Sequence, residues 1–344
     1  MKQEWTDFLV RQGARHDGLD FGKPAEELAH AQSATILTPL LDLALIRVSG
    51  EEAKLFLHNL LTNDIKRLRF DAAQRNGLCN PKGRLLATFL VWYENADLMI
   101  AVSADLHAAI LKKLSMYVLR TKVKLTDASD ERVLVGLSGT QVEAVLGGLG
   151  NIPAGTMTVS SIEHGHVIRL DDLRFLLALD ISAAPKIWQR LAVAAHPAGL
   201  SAWHWREITS GIPQVTAATS EEFIPQMVNF DLIGGVSFHK GCYPGQEIVA
   251  RTQYLGKLKR RMYRAHLETA STSFGDQLYA PETGEQSCGR IVNIAPSPQG
   301  GNELLAVIQS TCADAGEVHL GNPVGPSLVL LPLPYALPNE EAKV

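Results

Sequence analysis

Cysteine is scarce and scattered in this chain. Cys79, Cys242, Cys288 and Cys312 stand far apart, with no CxxC pair among them. That spacing argues against a zinc ribbon and leaves free thiols in a cytoplasmic protein as the simplest reading. Long apolar runs are missing too. The longest stretches, such as "LLATFLVWY", fall far short of the ~20 residues a membrane helix needs, so no membrane is expected. The opening "MKQEWTDFLVRQGARHDG" is broken by charges and has no apolar centre, so no signal peptide is expected either. No glycine-rich dinucleotide or phosphate loop occurs. A net charge of -4 argues against a surface built throughout for nucleic acid, which leaves local basic patches open.

What is present describes a mixed globular protein. With 344 residues, 46% hydrophobic and 20% charged, the chain is large enough for two or three domains. Residues 1–30 read as a helix followed by a polar connector. "LALIRVSG" is strand-like, and Glu51 and Glu52 then open a helix in "EEAKLFLHNLLTND". A hairpin-rich stretch follows, with "NPKG" and "ENAD" as turns, then a helix in "ADLHAAILKKLSMYVLR". "KVKLTDAS" and "RVLVGLSG" read as strands and "TQVEAVLGGLG" as a short helix. The segments "VSGEEAKLFLHNL" and "LSGTQVEAVLGGL" echo one another: strand, Ser-Gly, helix. Further strands are expected over 157–180, and helices in "APKIWQRLAVAAH" and "SAWHWREITSG". Beyond residue 260, short strands cut by Gly and Pro predict a small β-barrel or sandwich. The irregular order of strands and helices before it is α+β.

The densest chemistry is "FHKGCYPGQEIVAR", residues 238–251. Lys240 and His239 stand near Cys242, and positive charge favours the reactive thiolate. Gly241 allows close backbone approach, and Pro244-Gly245 predicts a turn that leaves the thiol near the surface. The competing reading is a small buried hydrophobe, the usual fate of a free cysteine. The residues alone leave both open.

Three other stretches carry a functional and a plainer reading. From Ile248 to Leu267 no acidic residue occurs, while Arg251, Lys257, Lys259, Arg260, Arg261 and Arg264 fall in that window with Tyr254 and Tyr263. The run suits an anionic small-molecule tail better than RNA, and a solvated strand face is the plainer account. In "SAWHWREITSGIP", Trp203 and Trp205 offer aromatic walls for a flat heterocycle, with Glu207 as a carboxylate for its ring nitrogens. A tryptophan packed between helix and sheet is the commoner arrangement. "HGH" at 164–166 offers two ligands without a third, so no metal site is expected.

Taken together, these pieces resemble the YgfZ family, folate-binding relatives of the glycine cleavage T-protein. The resemblance rests on "KGCYPGQEIVAR", with Lys240, Gly241, Cys242, Tyr243, Gly245, Gln246, Glu247 and Arg251 matching. It also rests on "FIPQMVNFDLIGGVSFHKGC", "LHNLLTNDI" and "GLCNPKGRLL", and spans roughly residues 35–335. It implies an N-terminal helix and connector at 1–30, a GcvT-like folate-binding region at 31–250 with a ferredoxin-like subdomain, and a C-terminal β-barrel at 251–344. It implies tetrahydrofolate as cofactor, bound by Trp203, Gln226 and Asn229, with Glu207 standing in for a family glutamate and Cys242 as a reactive thiol. It implies a cytoplasmic monomer that serves iron–sulfur cluster assembly or repair. The clients would be enzymes such as the radical tRNA methylthiotransferase, with direct tRNA contact not favoured.

Four positions depart from the relatives. "GRLLATF" places Ala87 and Thr88 where the T-protein carries paired aspartates, so the aminomethyl transfer lacks its carboxylate. Leu43 stands where YgfZ has a pocket tryptophan, and Thr209 where the T-protein has a pterin-binding glutamate. An accessory protein rather than a classical enzyme is therefore expected, with an altered pocket lining. The alternative is a tetrahydrofolate-dependent one-carbon transferase using another acid.

Overall fold

The computed structural model describes residues 2–15, 20–254, 258–269 and 271–338. Two compact units emerge. The first comprises Met1–Leu57, Ile65–Gln74 and Phe89–Arg206, and the second His58–Asp64, Arg75–Thr88 and Glu207–Val344. The boundary expected at residue 250 falls inside the second unit. Among the described residues, no helix is long and apolar enough to cross a membrane.

The first unit contains a six-stranded sheet. Its order is His196–Pro197, Ile36–Pro39, Arg132–Ser138, Arg174–Asp180, Gly165–Arg169, Thr158–Ile162, antiparallel except for the first pair. Its central strands are apolar on both faces, as period-two geometry requires of a sheet covered on both sides. Val133, Val135, Leu137, Phe175, Leu177 and Leu179 point into one core. There they meet Trp5 and Phe8 of the helix Lys2–Arg11, and Ala184, Ile187, Trp188 and Leu191 of the helix Ala184–Leu191. The spacing of those last four puts them on one helical face. Leu134, Leu176 and Ala178 point into the other core, against Leu45, Trp92, Met99, Ala101 and Trp203.

The repeated strand–Ser-Gly–helix pattern is a structural echo. Leu43–Ser49 lies between Asp97–Ser103 and Lys124–Asp127, and runs through Gly50 to the helix Ala53–Leu60. Arg132–Ser138 lies between Ile36–Pro39 and Arg174–Asp180, and runs through Gly139 to the helix Val142–Leu146. Both glycines have positive φ, +110° and +146°, and both pack on backbone. A Cβ at Gly50 would lie 2.1 Å from the Lys122 carbonyl, and one at Gly139 2.4 Å from that of Ala34.

The second unit holds a six-stranded antiparallel sheet. Its order is His319–Leu320, Gln277–Tyr279, Ser287–Pro296, Asn302–Gln309, Arg260–Leu267, Val329–Leu331. Ala265, Leu267, Leu278, Ile291, Leu304, Ala306 and Ile308 form its core with Cys288 and Cys312. Among the elements that escape the sequence patterns, three are helices. Pro24–Ser33 is a helix where a polar connector is expected, because Pro24 and the first-turn acids Glu26 and Glu27 favour a helix start. Ser310–Ala315 is a helix continuing an apparent strand run. Gln246–Tyr254 is a helix that begins inside the Cys242 motif.

The Ser-Gly echo generates the first prediction. Gly50→Ala and Gly139→Ala should each lose about 2 kcal/mol or more of stability, through strain and collision together. Gly300→Ala, where φ is +91° but nothing lies within 4 Å of the new Cβ, should lose only about 1 kcal/mol. Urea unfolding of the three variants checks this, and equal losses would remove the close-approach explanation.

Candidate functional site

The Cys242 motif is a loop tied down at both ends. At its start, the half-buried Lys240 ammonium donates to the carbonyls of His58 and Leu61, the latter at 2.5 Å. These carbonyls lie at the C-terminal end of the helix Ala53–Leu60, where exposed carbonyls and the helix dipole both favour a cation. The ammonium also sits 4.8 Å from the centre of the Tyr243 ring. Gly241 lies beside His58: a Cβ there would be 3.8 Å from Nε2 of that buried imidazole. His58 Nδ1 is 3.1 Å from Asp64 Oδ1.

At the other end the Pro244-Gly245 turn packs on the "NPKG" hairpin. Gly245 has φ +81°, and a Cβ there would lie 2.4 Å from the Asn80 carbonyl and 2.7 Å from Gly83 Cα. Gly83 itself has φ +71° and faces Ile248 and Gly245. Two glycine backbones thus meet where no side chain fits. The helix Gln246–Tyr254 starts from this turn, with Glu247 in its first turn and Arg251 in its last, both exposed. Gln246 Nε2 donates to Lys240 O at 3.5 Å, joining the two ends of the loop.

Buried polar side chains supply the surrounding frame. Thr62 Oγ1 donates to Gly235 O at 2.7 Å and accepts from Gly77 N at 2.8 Å. Asn63 Nδ2 donates to Arg75 O and Gly234 O at 3.0 and 2.6 Å. Asn80 Oδ1 accepts from Lys82 N and Arg84 N, while its amide donates to Glu221 at 3.0 Å. Sequence reasoning assigns no role to Thr62, Asn63 or Asn80. Their signal is nonetheless there: amide and hydroxyl side chains inside "LLTND" and "LCNPKG", next to apolar residues, must find partners once buried.

The four cysteines divide sharply. Cys242 is exposed, and Cys79, Cys288 and Cys312 are buried. Burial pushes the Cys79 thiol up to about 12. Cys288 is likewise raised to about 12, first by burial and then by its neighbour Cys312. Burial raises Cys312 as well. The buried Tyr243 hydroxyl is raised by burial first and by Cys79 second. Nearness in sequence suggests that Lys240 favours the Cys242 thiolate. Its ammonium is instead engaged by two carbonyls and an aromatic face, which makes it an anchor of the loop backbone.

The residues expected to line a folate pocket are placed as follows. Trp203 is 2% exposed in the core of the first unit. Its ring lies over Gly136, where a Cβ would be 2.5 Å away, and the Arg174 guanidinium stands 5.9 Å from the ring centre. The packed-tryptophan arrangement is therefore the one observed. Glu207 is half-buried in the last turn of the helix Leu200–Thr209, and opens the final segment of the second unit. Gln226 and Asn229 belong to one 3-10 turn, Pro225–Val228 with Asn229 as its left-handed cap. Gln226 Nε2 donates to Val249 O at 2.6 Å, and Asn229 Nδ2 to Met262 O at 2.8 Å. The side-chain oxygens of both are buried, and no donor among the described residues reaches them.

The basic window is divided by strand alternation. Arg261 is buried against Asp231 at 2.8 Å and also donates to Gln226 O at 2.9 Å. Arg264 is bound to Glu303 at 2.5 Å. Arg251, Lys259 and Arg260 are exposed, and Lys257 lies outside the described residues. Ala87 is fully buried. Thr88, beside it, accepts a hydrogen bond from Val215 N at 3.1 Å. Neither offers a proton-transfer group.

Fold and motif define the class first: the GCVT N-terminal domain model matches residues 20–234, and the chain is a GcvT-like protein. Glycine cleavage system aminomethyltransferase T from Bartonella henselae has the same fold. The TM-score is 0.73 at 18% identity, over 91% of this chain and 89% of that one. Tighter likeness is to proteins named tRNA-modifying protein YgfZ. The one from Photobacterium profundum is 30% identical over 93% of this chain and 98% of its own length. The one from an Enterobacter species is 29% identical over 91% and 97%. This chain belongs to the YgfZ family.

The division among the cysteines gives the second prediction. Iodoacetamide at neutral pH should alkylate Cys242 and leave Cys79, Cys288 and Cys312 unmodified until the protein unfolds. Peptide mapping reads this directly, and early labelling of a buried cysteine would contradict the assignment. The same burial fixes a pH effect. Cys79 holds its proton in the folded state up to about 12, against an ordinary value of 9.0. Its contribution to stability is whole below the ordinary value and is lost as pH rises through that window. Alkaline unfolding between those values should become shallower in Cys79→Ala.

Proposed function

We propose that this chain is a folate-binding accessory protein that supports assembly or repair of iron–sulfur enzymes, and through them tRNA modification, with Cys242 as its reactive thiol. The observation that carries the reading is the division among the cysteines: one exposed thiol on an anchored loop and three buried ones. The relatives' name, tRNA-modifying protein, supports the tRNA link. Its partners on this reading are iron–sulfur clients such as a radical tRNA methylthiotransferase, and direct tRNA binding is not required. The protein acts as a cytoplasmic monomer.

Tetrahydrofolate, the cofactor of this reading, would carry a one-carbon unit or present its pterin as a recognition element. The oxygens of Gln226 and Asn229 fit such a group, because a pterin is rich in N–H donors and these buried acceptors have none among the described residues. Glu207 would add a carboxylate. Trp203, sealed in its core, would act by shaping the packing under the helix Leu200–Thr209. The finer architecture belongs to the same proposal: an N-terminal helix and connector at 1–30, a GcvT-like region at 31–250 with a ferredoxin-like part, and a barrel at 251–344. The one-carbon transferase reading gains no support from Ala87 and Thr88.

In cells lacking the native protein, Cys242→Ala and Cys242→Ser should both fold, bind tetrahydrofolate and yet fail to restore tRNA methylthiolation. Serine keeps the shape and loses the sulfur, so it separates chemistry from size. Full restoration by both variants would end the reactive-thiol reading. A further expectation is that the purified protein makes no methylene-tetrahydrofolate from an aminomethyl-lipoyl donor. Turnover at rates like those of a T-protein would show that another acid does the work of the missing carboxylate.

A further inference from the structure

The helix His107–Val118 is fixed inward by Ile110 and Leu114, 3% and 0% exposed. Its outer end carries large apolar side chains into solvent: Met116 is 60% exposed, Tyr117 38% and Leu119 88%. Leu119 caps the helix at φ 42° and ψ -106°, a backbone region that glycine adopts freely and a leucine does not. The turn beyond it is held in place. Thr121 N and Oγ1 both donate to Val118 O, at 2.8 and 2.5 Å, and Lys122 N donates to Glu52 at 2.6 Å. The chain therefore holds a leucine that is 88% exposed in a strained conformation. Strain of this kind points to a function outside the fold.

Charge narrows the occupant. From Leu106 to Thr126 there is no acidic residue, and Lys112, Lys113, Arg120, Lys122 and Lys124 fall within that span of a chain whose net charge is -4. On the facing helix start, Glu51 pairs with Lys122 at 2.7 Å. A depression of about 620 Å³ opens beside Leu119, lined by Glu52, Tyr117, Leu119, Arg120 and Thr121. Met, Tyr and Arg around an aliphatic centre, with lysines outside, is the composition of a protein–protein interface. Glu52 within the depression opposes phosphate, whether of RNA or of lipid. Two copies meeting through this face would set cation against cation.

We propose that Met116, Tyr117, Leu119 and Arg120 form a docking knob for a partner protein whose facing surface is apolar at its centre and acidic at its rim. The proposal rests on no part of the folate reading. A photo-cross-linker, benzoylphenylalanine, placed at Leu119 in the full chain in cells should join it to a protein that mass spectrometry identifies. The same group at the exposed Val193 should not. The identified protein, purified, should bind the chain directly. Leu119→Gly should weaken that binding roughly tenfold or more, and the variant should melt no lower than the parent. Arg120→Glu should also weaken it, and so should salt. The proposal is overturned by cross-links only to RNA, lipid or a second copy, by no cross-link at all, or by direct binding that ignores both substitutions.

Discussion

The ammonium of Lys240 on the carbonyls of His58 and Leu61 is the contact on which the candidate site depends. A half-buried cation is costly unless its donors are used, and helix-end carbonyls are costly unless their lone pairs are. Each satisfies the other, and the loop that follows inherits a fixed start. The second constraint is steric. Gly245 and Gly83 meet backbone to backbone, so the turn after Cys242 has one place to go. Between these anchors the exposed thiol has a defined place in the loop. The upstream polar residues Thr62, Asn63 and Asn80 complete the frame by hydrogen-bonding backbone that would otherwise be buried without partners.

Much of the fold was legible because period and punctuation agreed. "LALIRVSG" and "RVLVGLSG" each end in Ser-Gly before a helix, and both glycines occupy positive-φ positions against backbone. The pattern reads as an echo because the same steric problem is solved twice. The Pro244-Gly245 turn was legible for a similar reason. The helix Gln246–Tyr254 was not, because its apolar content is low and its start lies within a motif that reads as chemistry. Pro24–Ser33 escapes a reading that gives polarity more weight than a proline and an acidic first turn.

The site was less legible than the fold. Proximity in sequence suggested that Lys240 acts on Cys242, whereas its side chain reaches carbonyls some 180 residues away in the chain. The basic window read as one surface, but strand alternation turns Arg261 inward to Asp231 while leaving Arg260 outside. An aromatic pair suggested a ligand wall, and Trp203 lies on Gly136 in a closed core. In each case the sequence showed the residue types, and the direction of the side chain came only with the fold. Gln226 and Asn229 are the reverse case. Nothing in their spacing demands a ligand, yet both oxygens are buried without a donor among the described residues.

Together, the Lys240 anchor and the glycine contact hold the thiol loop rigid. Native-state hydrogen exchange tests this most directly, since Gln246 N donates to Tyr243 O and Val249 N to Gly245 O within the anchored segment. Lys240→Met should speed exchange at these two amides by roughly tenfold or more, while strand amides of Asn302–Gln309 keep their protection. Unchanged exchange at Gln246 and Val249 in that variant would contradict the claim.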